Sequence, residues 1–258
     1  MTLPDLRPLL DFATEAAYTA GRLTLGYYQN APTTERKSDH SPVTIADRAA
    51  EQHLRDRIQR FWPDHAIHGE EFGQHHADSP FKWVIDPIDG TQSFIHGVPF
   101  YGTLLALLHN DQPIVGVIYH PALEEMVAAA QGLGCYFNGR LAHVSATTTL
   151  ADAALLTSTL NYFDKLGKAA AWQRLVNATE IQRTWGDCYG YTLVATGRAD
   201  IMVDPIMEIW DAAPLQVIIE EAGGRFTDWQ GVPTIHHREC IATNGHLHTA
   251  VLAEVTAA

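Results

Sequence analysis

Residues 83–91 read Trp83-Val84-Ile85-Asp86-Pro87-Ile88-Asp89-Gly90-Thr91. The apolar run predicts a buried strand, and it leads into two aspartates three positions apart. Pro87 discourages continuation of the strand, which places both carboxylates in the turn that leaves it. Gly90 permits a tight backbone, and Thr91 sets a hydroxyl beside the acids. In one reading each aspartate caps local N–H groups as an Asx-turn. That accounts for one carboxylate well and for two less well, and it leaves Glu70 and Glu71 of His68-Gly69-Glu70-Glu71 unexplained. In the other reading, converging carboxylates share a cation, and hard oxygen ligands suit Mg²⁺.

The flanking sequence supplies the layers around that strand. Upstream, Leu9, Phe12, Ala16, Ala20, Leu23 and Tyr27 recur at spacings of three and four and predict a helix over 8–28. The polar stretch 30–42 reads as a loop or hairpin. A second helix starts near Thr44 and stops before Pro63, with Ala46, Ala50, Leu54, Ile58 and Phe61 on one face. Downstream, short strands at 83–85, 103–108, 114–119, 126–130 and 135–137 predict an antiparallel meander packed on the two helices. Asn138-Gly139 is its hairpin turn, since both residues tolerate positive φ.

After about Ser145 the pattern alternates. Strands are expected at 155–157, 181–184, 201–203 and 241–243, and helices at 164–178, 187–196, 211–222 and 246–254. The chain therefore reads as two closely packed parts of one compact unit. Residues 1–144 form a helix pair with an antiparallel sheet, and 145–258 form an α/β half, giving an α+β or α/β layered sandwich.

Composition limits the function classes. The chain has 258 residues, enough for a substantial core, and is 46% hydrophobic, with no run near the ~18 apolar residues of a membrane span. The N-terminus lacks a basic leader followed by an apolar block, so no signal peptide is expected. Three cysteines, Cys135, Cys188 and Cys240, without CxxC spacing read as small core residues in a reducing cytoplasm. A net charge of −13 argues against a nucleic-acid partner and fits a site that recruits cations. The 14 histidines are scattered, without HExxH, and read as solvated loop residues rather than a zinc site.

Two further motifs have local explanations of their own. Asp211 of Ile209-Trp210-Asp211-Ala212-Ala213 lies at a helix start, where it caps or complements the macrodipole. Thr44 and Asp47 have capping-box spacing. Taken together and in order, VTIAD, GEE, DPIDGT and WDAA resemble the inositol monophosphatase family of Mg²⁺-dependent, lithium-sensitive phosphatases, over nearly the whole chain. The resemblance implies alternating helix and sheet layers, αβαβα. It places Glu70, Asp86, the carbonyl of Ile88, Asp89 and Asp211 around two or three Mg²⁺ ions, with Mn²⁺ as a substitute. It gives Glu70 and Thr91 the positioning of the attacking water, and Asp47 the support of Thr91 or of a third metal. The reaction implied is in-line hydrolysis of a phosphate monoester without a phosphoenzyme, with the amides of Gly90 and Thr91 donating to phosphate oxygens. A homodimer is implied by the same resemblance. The aspartyl-phosphate hydrolases of the haloacid dehalogenase type fit less well, because their DxDGT-like motif has a different spacing and lies near the chain start.

Substrate choice should lie in Arg183-Thr184-Trp185-Gly186-Asp187-Cys188-Tyr189-Gly190-Tyr191. Inositol-type members carry small neutral residues after this glycine, and a glutamate where Asp204 stands here. The segment resembles the histidinol-phosphatase branch, in which Asp187 and Asp204 would pair with the ammonium and imidazole of L-histidinol phosphate. Arg183 would bind phosphate or hold the carboxylates, with Trp185, Gly186, Asp89 and Asp211 completing the pocket. The plainer reading makes Asp187 a helix N-cap and Trp185 a core residue. Inositol 1-phosphate or another small ester is the alternative substrate, and a non-catalytic protein-binding scaffold is the alternative of another class.

Overall fold

The structure, a computed structural model, describes residues 4–30, 34–36 and 42–257. Helix α1 (Arg7–Thr24) is followed by the short antiparallel pair β1 (Thr34–Arg36) and β2 (Pro42–Thr44). Part of the expected 30–42 loop or hairpin, residues 31–33 and 37–41, lies outside the described residues. Helix α2 (Ile45–Phe61) then leads into β3 (Ala66–Gly69), β4 (Gly73–His75) and β5 (Phe81–Asp89). After the one-turn helix α3 (Thr91–Ile95) come β6 (Gly102–His109), β7 (Gln112–His120), β8 (Glu125–Ala130), β9 (Gly134–Phe137) and β10 (Arg140–Ala142). These strands form an eight-stranded sheet in the order β10-β9-β8-β7-β6-β5-β3-β4.

The rest of the chain alternates. Strand β11 (Ala154–Leu156) is followed by helices α4 (Asn161–Lys165) and α5 (Ala169–Ala178), β12 (Ile181–Arg183) and α6 (Cys188–Ala195). Next come β13 (Ile201–Asp204), α7 (Ile209–Glu221), β14 (Arg225–Thr227), β15 (Cys240–Thr243) and α8 (His248–Thr256). A five-stranded sheet, β12-β11-β13-β15-β14, results.

Period-two burial explains why the sheets stack. In the first sheet Trp83, Ile85, Leu105, Leu107, Val115 and Val117 face α1 and α2. Val84, Leu104, Ala106, Ile118 and Val127 face the opposite way, toward α6 and α7. In the second sheet Leu156, Met202, Phe226 and Ala242 join that same central core, while Leu155, Ile201, Val203 and Ile241 pack on α5 and α8. The layers are therefore αβαβα, with three apolar cores between five layers. Each fully buried aliphatic side chain stabilises the stack by about 1.5–3 kcal/mol. Helix α7 lies between the sheets, and residues Ala212–Ile219 are buried without a polar face, as expected for a helix enclosed on all sides. No described helix is long and apolar enough to cross a membrane.

Several boundaries differ from expectation. The strand at 83–85 continues through Pro87 to Asp89. Asp86 pairs with Leu104 and Asp89 with Gly102, so three steps on β5 face two on β6. Pro87 sits in this bulge, where a ladder N–H is not required, and Asp86 and Asp89 belong to a bent strand rather than to a turn beyond it. The expected meander from β5 through β9 is antiparallel throughout, and β3 extends the sheet by pairing parallel to β5. The single helix expected at 164–178 is two, broken around Gly167 at φ +69°. The first helix ends at Thr24, four residues earlier than expected. Strands β3, β4, β10 and β14 were not anticipated. The Asn138-Gly139 turn has the expected positive φ at both positions.

Packing of α7 on β7 depends on Gly116. A Cβ there would lie 2.3 Å from the Pro214 carbonyl oxygen, a backbone atom that cannot rotate away. Gly116→Ala is expected to destabilise the fold by about 1–3 kcal/mol, as overpacking does. Urea unfolding with an unchanged midpoint would show that the two layers separate freely.

Candidate metal centre and substrate cleft

The bulge at Pro87 aims Asp86 and Asp89 into the space between the sheets, where the first turn of α7 brings Asp211. One carboxylate oxygen from each lies within 4.8 Å of the others, and Asp86 is buried while Asp89 and Asp211 are half-buried. Each is positioned locally. Asp86 Oδ1 accepts from the Ile88 N–H at 3.0 Å, an Asx-turn. Asp89 Oδ2 accepts from the Cys188 N–H at the start of α6, and Asp211 Oδ2 from the Glu208 N–H at 2.9 Å in a capping box. The Asx-turn and capping readings are thus realised for two of the three acids. They use one oxygen of each and do not account for the convergence.

Electrostatics makes the convergence costly. Burial pushes the Asp86 carboxyl well above its usual range, and Glu70, Asp89 and Asp211 push it further. Asp89 and Asp211 are pushed up to about 7, first by burial and then by neighbouring acids, against the bonds from Cys188 and Glu208. Glu70 follows β3, and its N–H donates to the Ile85 carbonyl at 3.1 Å, which holds this residue beside β5. An oxygen-only, anionic donor set of this kind fits a hard divalent cation.

Asp47 is fully buried and closes the expected capping box. Its Oδ2 accepts from the Thr44 N–H at 2.8 Å and from the Thr44 hydroxyl at 2.6 Å. The other oxygen, Oδ1, is buried with no hydrogen-bond partner among the described residues. Burial, with Glu70 nearby, raises this carboxyl to about 6. Thr91 opens α3, and its hydroxyl donates to the Ile88 carbonyl at 3.2 Å. Gly90 adopts φ +82°, and a Cβ there would lie 2.9 Å from Asp187 Oδ2.

One wall of the cleft is built at the C-terminal ends of three parallel strands, where open α/β sheets place ligands. Ser158 follows β11, Gly186 and Asp187 follow β12, and Asp204 ends β13. A cavity of about 170 Å³ is lined by Asp89, Asp187, Asp204, Asp211, Tyr191 and Met207 among others, with no lysine or arginine. A second space of about 670 Å³ adjoins it through Ser158, Thr159, Tyr162 and Asp187, and reaches Gln92, Phe100 and Lys165.

Asp187 occupies the N-cap position of α6 but makes no side-chain cap bond, contrary to the plainer reading. Its φ of +51° with ψ of −154° is a conformation that favours glycine, a strain of the kind held at functional sites. Its N–H donates to Ser158 Oγ at 2.9 Å, and its carboxyl is pushed up by burial, Asp89 and Asp204. Asp204 lines the same cavity, yet both oxygens are engaged. Oδ1 accepts from Thr157 Oγ1 and the Ser158 N–H, and Oδ2 from Ser158 Oγ and the Tyr191 hydroxyl. Arg183 and Trp185 line neither cavity. The Arg183 guanidinium lies 5.8 Å from the centre of the Trp185 ring, and Trp185 is 41% exposed, so it is not a core residue. Sequence reasoning missed Ser158, the brace between Asp187 and Asp204; its one signal is a small polar residue just beyond a predicted strand.

The inositol monophosphatase family model matches residues 5–258. The chain is similar to a histidinol-phosphatase of Chlorobaculum parvum, at 42% identity over 89% of each chain. It is also similar to one of Mycobacterium tuberculosis, at 39% identity over 86% of this chain and 88% of that one. Among solved structures, the extragenic suppressor protein SuhB of Bartonella henselae superposes with a TM-score of 0.92 at 28% identity, covering 97% of this chain and 99% of that one. With this architecture and this cluster of acids, the chain belongs to the inositol monophosphatase family and is a metal-dependent phosphatase.

Proposed function

We propose that the protein hydrolyses L-histidinol phosphate to L-histidinol and phosphate. The observation that carries this reading is Asp187: a strained carboxylate between the two cavities, with no ion pair among the described residues. Such a group suits a cationic alcohol better than a neutral polyol. The activity named for the relatives in C. parvum and M. tuberculosis supports the same choice. Asp204 adds negative potential to the wall while its oxygens hold Thr157, Ser158 and Tyr191 in place.

In this reading Asp86, Asp89, Asp211, Glu70 and the Ile88 carbonyl would hold two or three Mg²⁺ ions, for which Mn²⁺ could substitute. When bound, these ions supply the positive charge that a phosphoryl group requires and that the cavity wall lacks. Glu70 and the Thr91 hydroxyl would orient the attacking water. The unpartnered Asp47 Oδ1 supports Thr91 or a further ion. Gly90 keeps a side chain out of the floor beneath Asp187.

Purified protein with Mg²⁺ is expected to release phosphate from L-histidinol phosphate with a kcat/KM at least about tenfold above that for inositol 1-phosphate, a gap of roughly 1.4 kcal/mol in transition-state binding. Equal or reversed efficiencies reject the substrate assignment. Asp187→Asn should raise KM for histidinol phosphate severalfold more than for a neutral phosphate ester. A uniform effect on both esters rejects charge pairing.

The raised carboxyls also set a pH dependence. Asp89 and Asp211 bind protons more tightly when folded, near pH 7, than when unfolded, near 3.8. Their contribution to stability in the metal-free protein is therefore present at low pH and is lost as pH rises from about 4 through about 7. A cation competes with those protons, so the rise in Tm on adding Mg²⁺ should be larger at pH 8 than at pH 6. A rise that is equal or smaller at pH 8 contradicts metal binding by these acids.

A further inference from the structure

Helix α2 presents Asp47, Glu51 and Arg55 at intervals of four, on one stripe. Glu51 has no exposed surface. Its Oε2 accepts from the Glu71 N–H at 2.7 Å, and its Oε1 from the Phe72 N–H at 3.1 Å and from Arg55 Nε at 2.7 Å. Arg55 Nη2 in turn donates to the Gly73 carbonyl. The three residues that follow Glu70 are thus tied to α2 through side chains, while Glu70 itself is tied to β5 through its N–H. Room for the arrangement comes from Gly69. A Cβ there would lie 2.0 Å from Glu51 Oε1 and 2.9 Å from Arg55 Nη2.

A structural tie of this kind has a specific load to bear. Like charge on Glu70 raises the carboxyls of Asp86, Asp89, Asp211 and Asp47, and Asp86 also shares a hydrogen bond with it, so gathering these acids in their ionised form is unfavourable. A buried ion pair adds little net stability over apolar packing, but it fixes one geometry. Here the pair spends its hydrogen bonds on the backbone of the turn.

We infer that Glu51 and Arg55 are positioning residues that clamp the turn after β3, so that Glu70 is held against the repulsion of the other acids in the geometry that admits the metal. The inference rests on the reading of Glu70 as part of the metal and water site. Groups that orient metal ligands from outside typically change metal affinity by about 10–100-fold when altered.

The test compares Glu51→Gln, Gly69→Ala and Arg55→Lys. Glu51→Gln replaces one acceptor oxygen by an amide that faces donors. Gly69→Ala displaces the carboxylate from the opposite side. Arg55→Lys keeps the charge but cannot reach both Glu51 and the Gly73 carbonyl, and it is the mildest change. Val251→Ala, a truncation of a buried residue on α8, serves as a control for loss of stability alone. Mg²⁺ binding is measured calorimetrically on the substrate-free protein, amide hydrogen exchange at Glu71 and Phe72 is followed, and the Mg²⁺ dependence of phosphate release is recorded.

Glu51→Gln and Gly69→Ala are expected to weaken Mg²⁺ binding about tenfold or more, to speed exchange at both amides, and to recover most of kcat at saturating Mg²⁺. Arg55→Lys should show a severalfold weakening in the same direction. Val251→Ala should lower Tm and leave the Mg²⁺ affinity unchanged. Wild-type affinity in every clamp variant that folds, Arg55→Lys included, or an equal loss in Val251→Ala, overturns the inference. Asp89→Asn separates the two claims: if it binds Mg²⁺ as tightly as wild type, the metal reading itself fails, whatever the clamp variants do.

Discussion

Like charges gathered where water is scarce govern this molecule. Asp86, Asp89 and Asp211 approach within 4.8 Å of one another, and Glu70 adds to their repulsion. Ionised carboxylates in such a setting are unfavourable unless protonated, hydrogen-bonded or paired with a cation. The protein supplies partial compensation. The N–H at the start of α6 meets Asp89, and Asp211 stands in the first turn of α7, where helix dipoles favour negative charge. Neither device neutralises the group as a whole. In the proposed metal site, the remainder is what a divalent ion would contribute.

The layers exist to bring those acids together from separate parts of the chain. Strand β5 is buried on both faces, and its bulge at Pro87 turns Asp86 and Asp89 toward the central core. Helix α7 carries Asp211 into the same region, and the close approach of Gly116 to Pro214 sets its height over β7. From the second sheet, the parallel strands β11, β12 and β13 deliver Ser158, Asp187 and Asp204. One sheet therefore furnishes most of the charge cluster and the other most of the wall of the cavity beside it.

Much of this was legible in the residues. The apolar spacing along α1 and α2 and the alternation through β6, β7 and β8 follow directly from burial on one face or two. The acidic motifs were visible because local capping explains one aspartate at the end of a buried run well and two less well. What could not be read has a common physical cause: it depends on partners distant in sequence. Pro87 looked like a stop, but a bulge opposite β6 accommodates it. Strands β3 and β14 are too short for periodicity to reveal, and they form because an edge is available to pair with. Gly167 broke a helix whose apolar pattern runs straight through it. Glu51 carries no local signal in the sequence, because its partners, the N–H groups of Glu71 and Phe72, lie some twenty residues away.

Enclosure of α7 between both sheets has a consequence for how the enzyme comes into being. Asp211 reaches Asp86 and Asp89 only when its helix is seated against β6 and β7 and is roofed by the second sheet. A copy whose layers have not yet docked holds two of the three acids, and chelation of a hard ion weakens sharply with each donor lost. In the proposed metal site, chemical competence would then require α7 seated against both sheets at once.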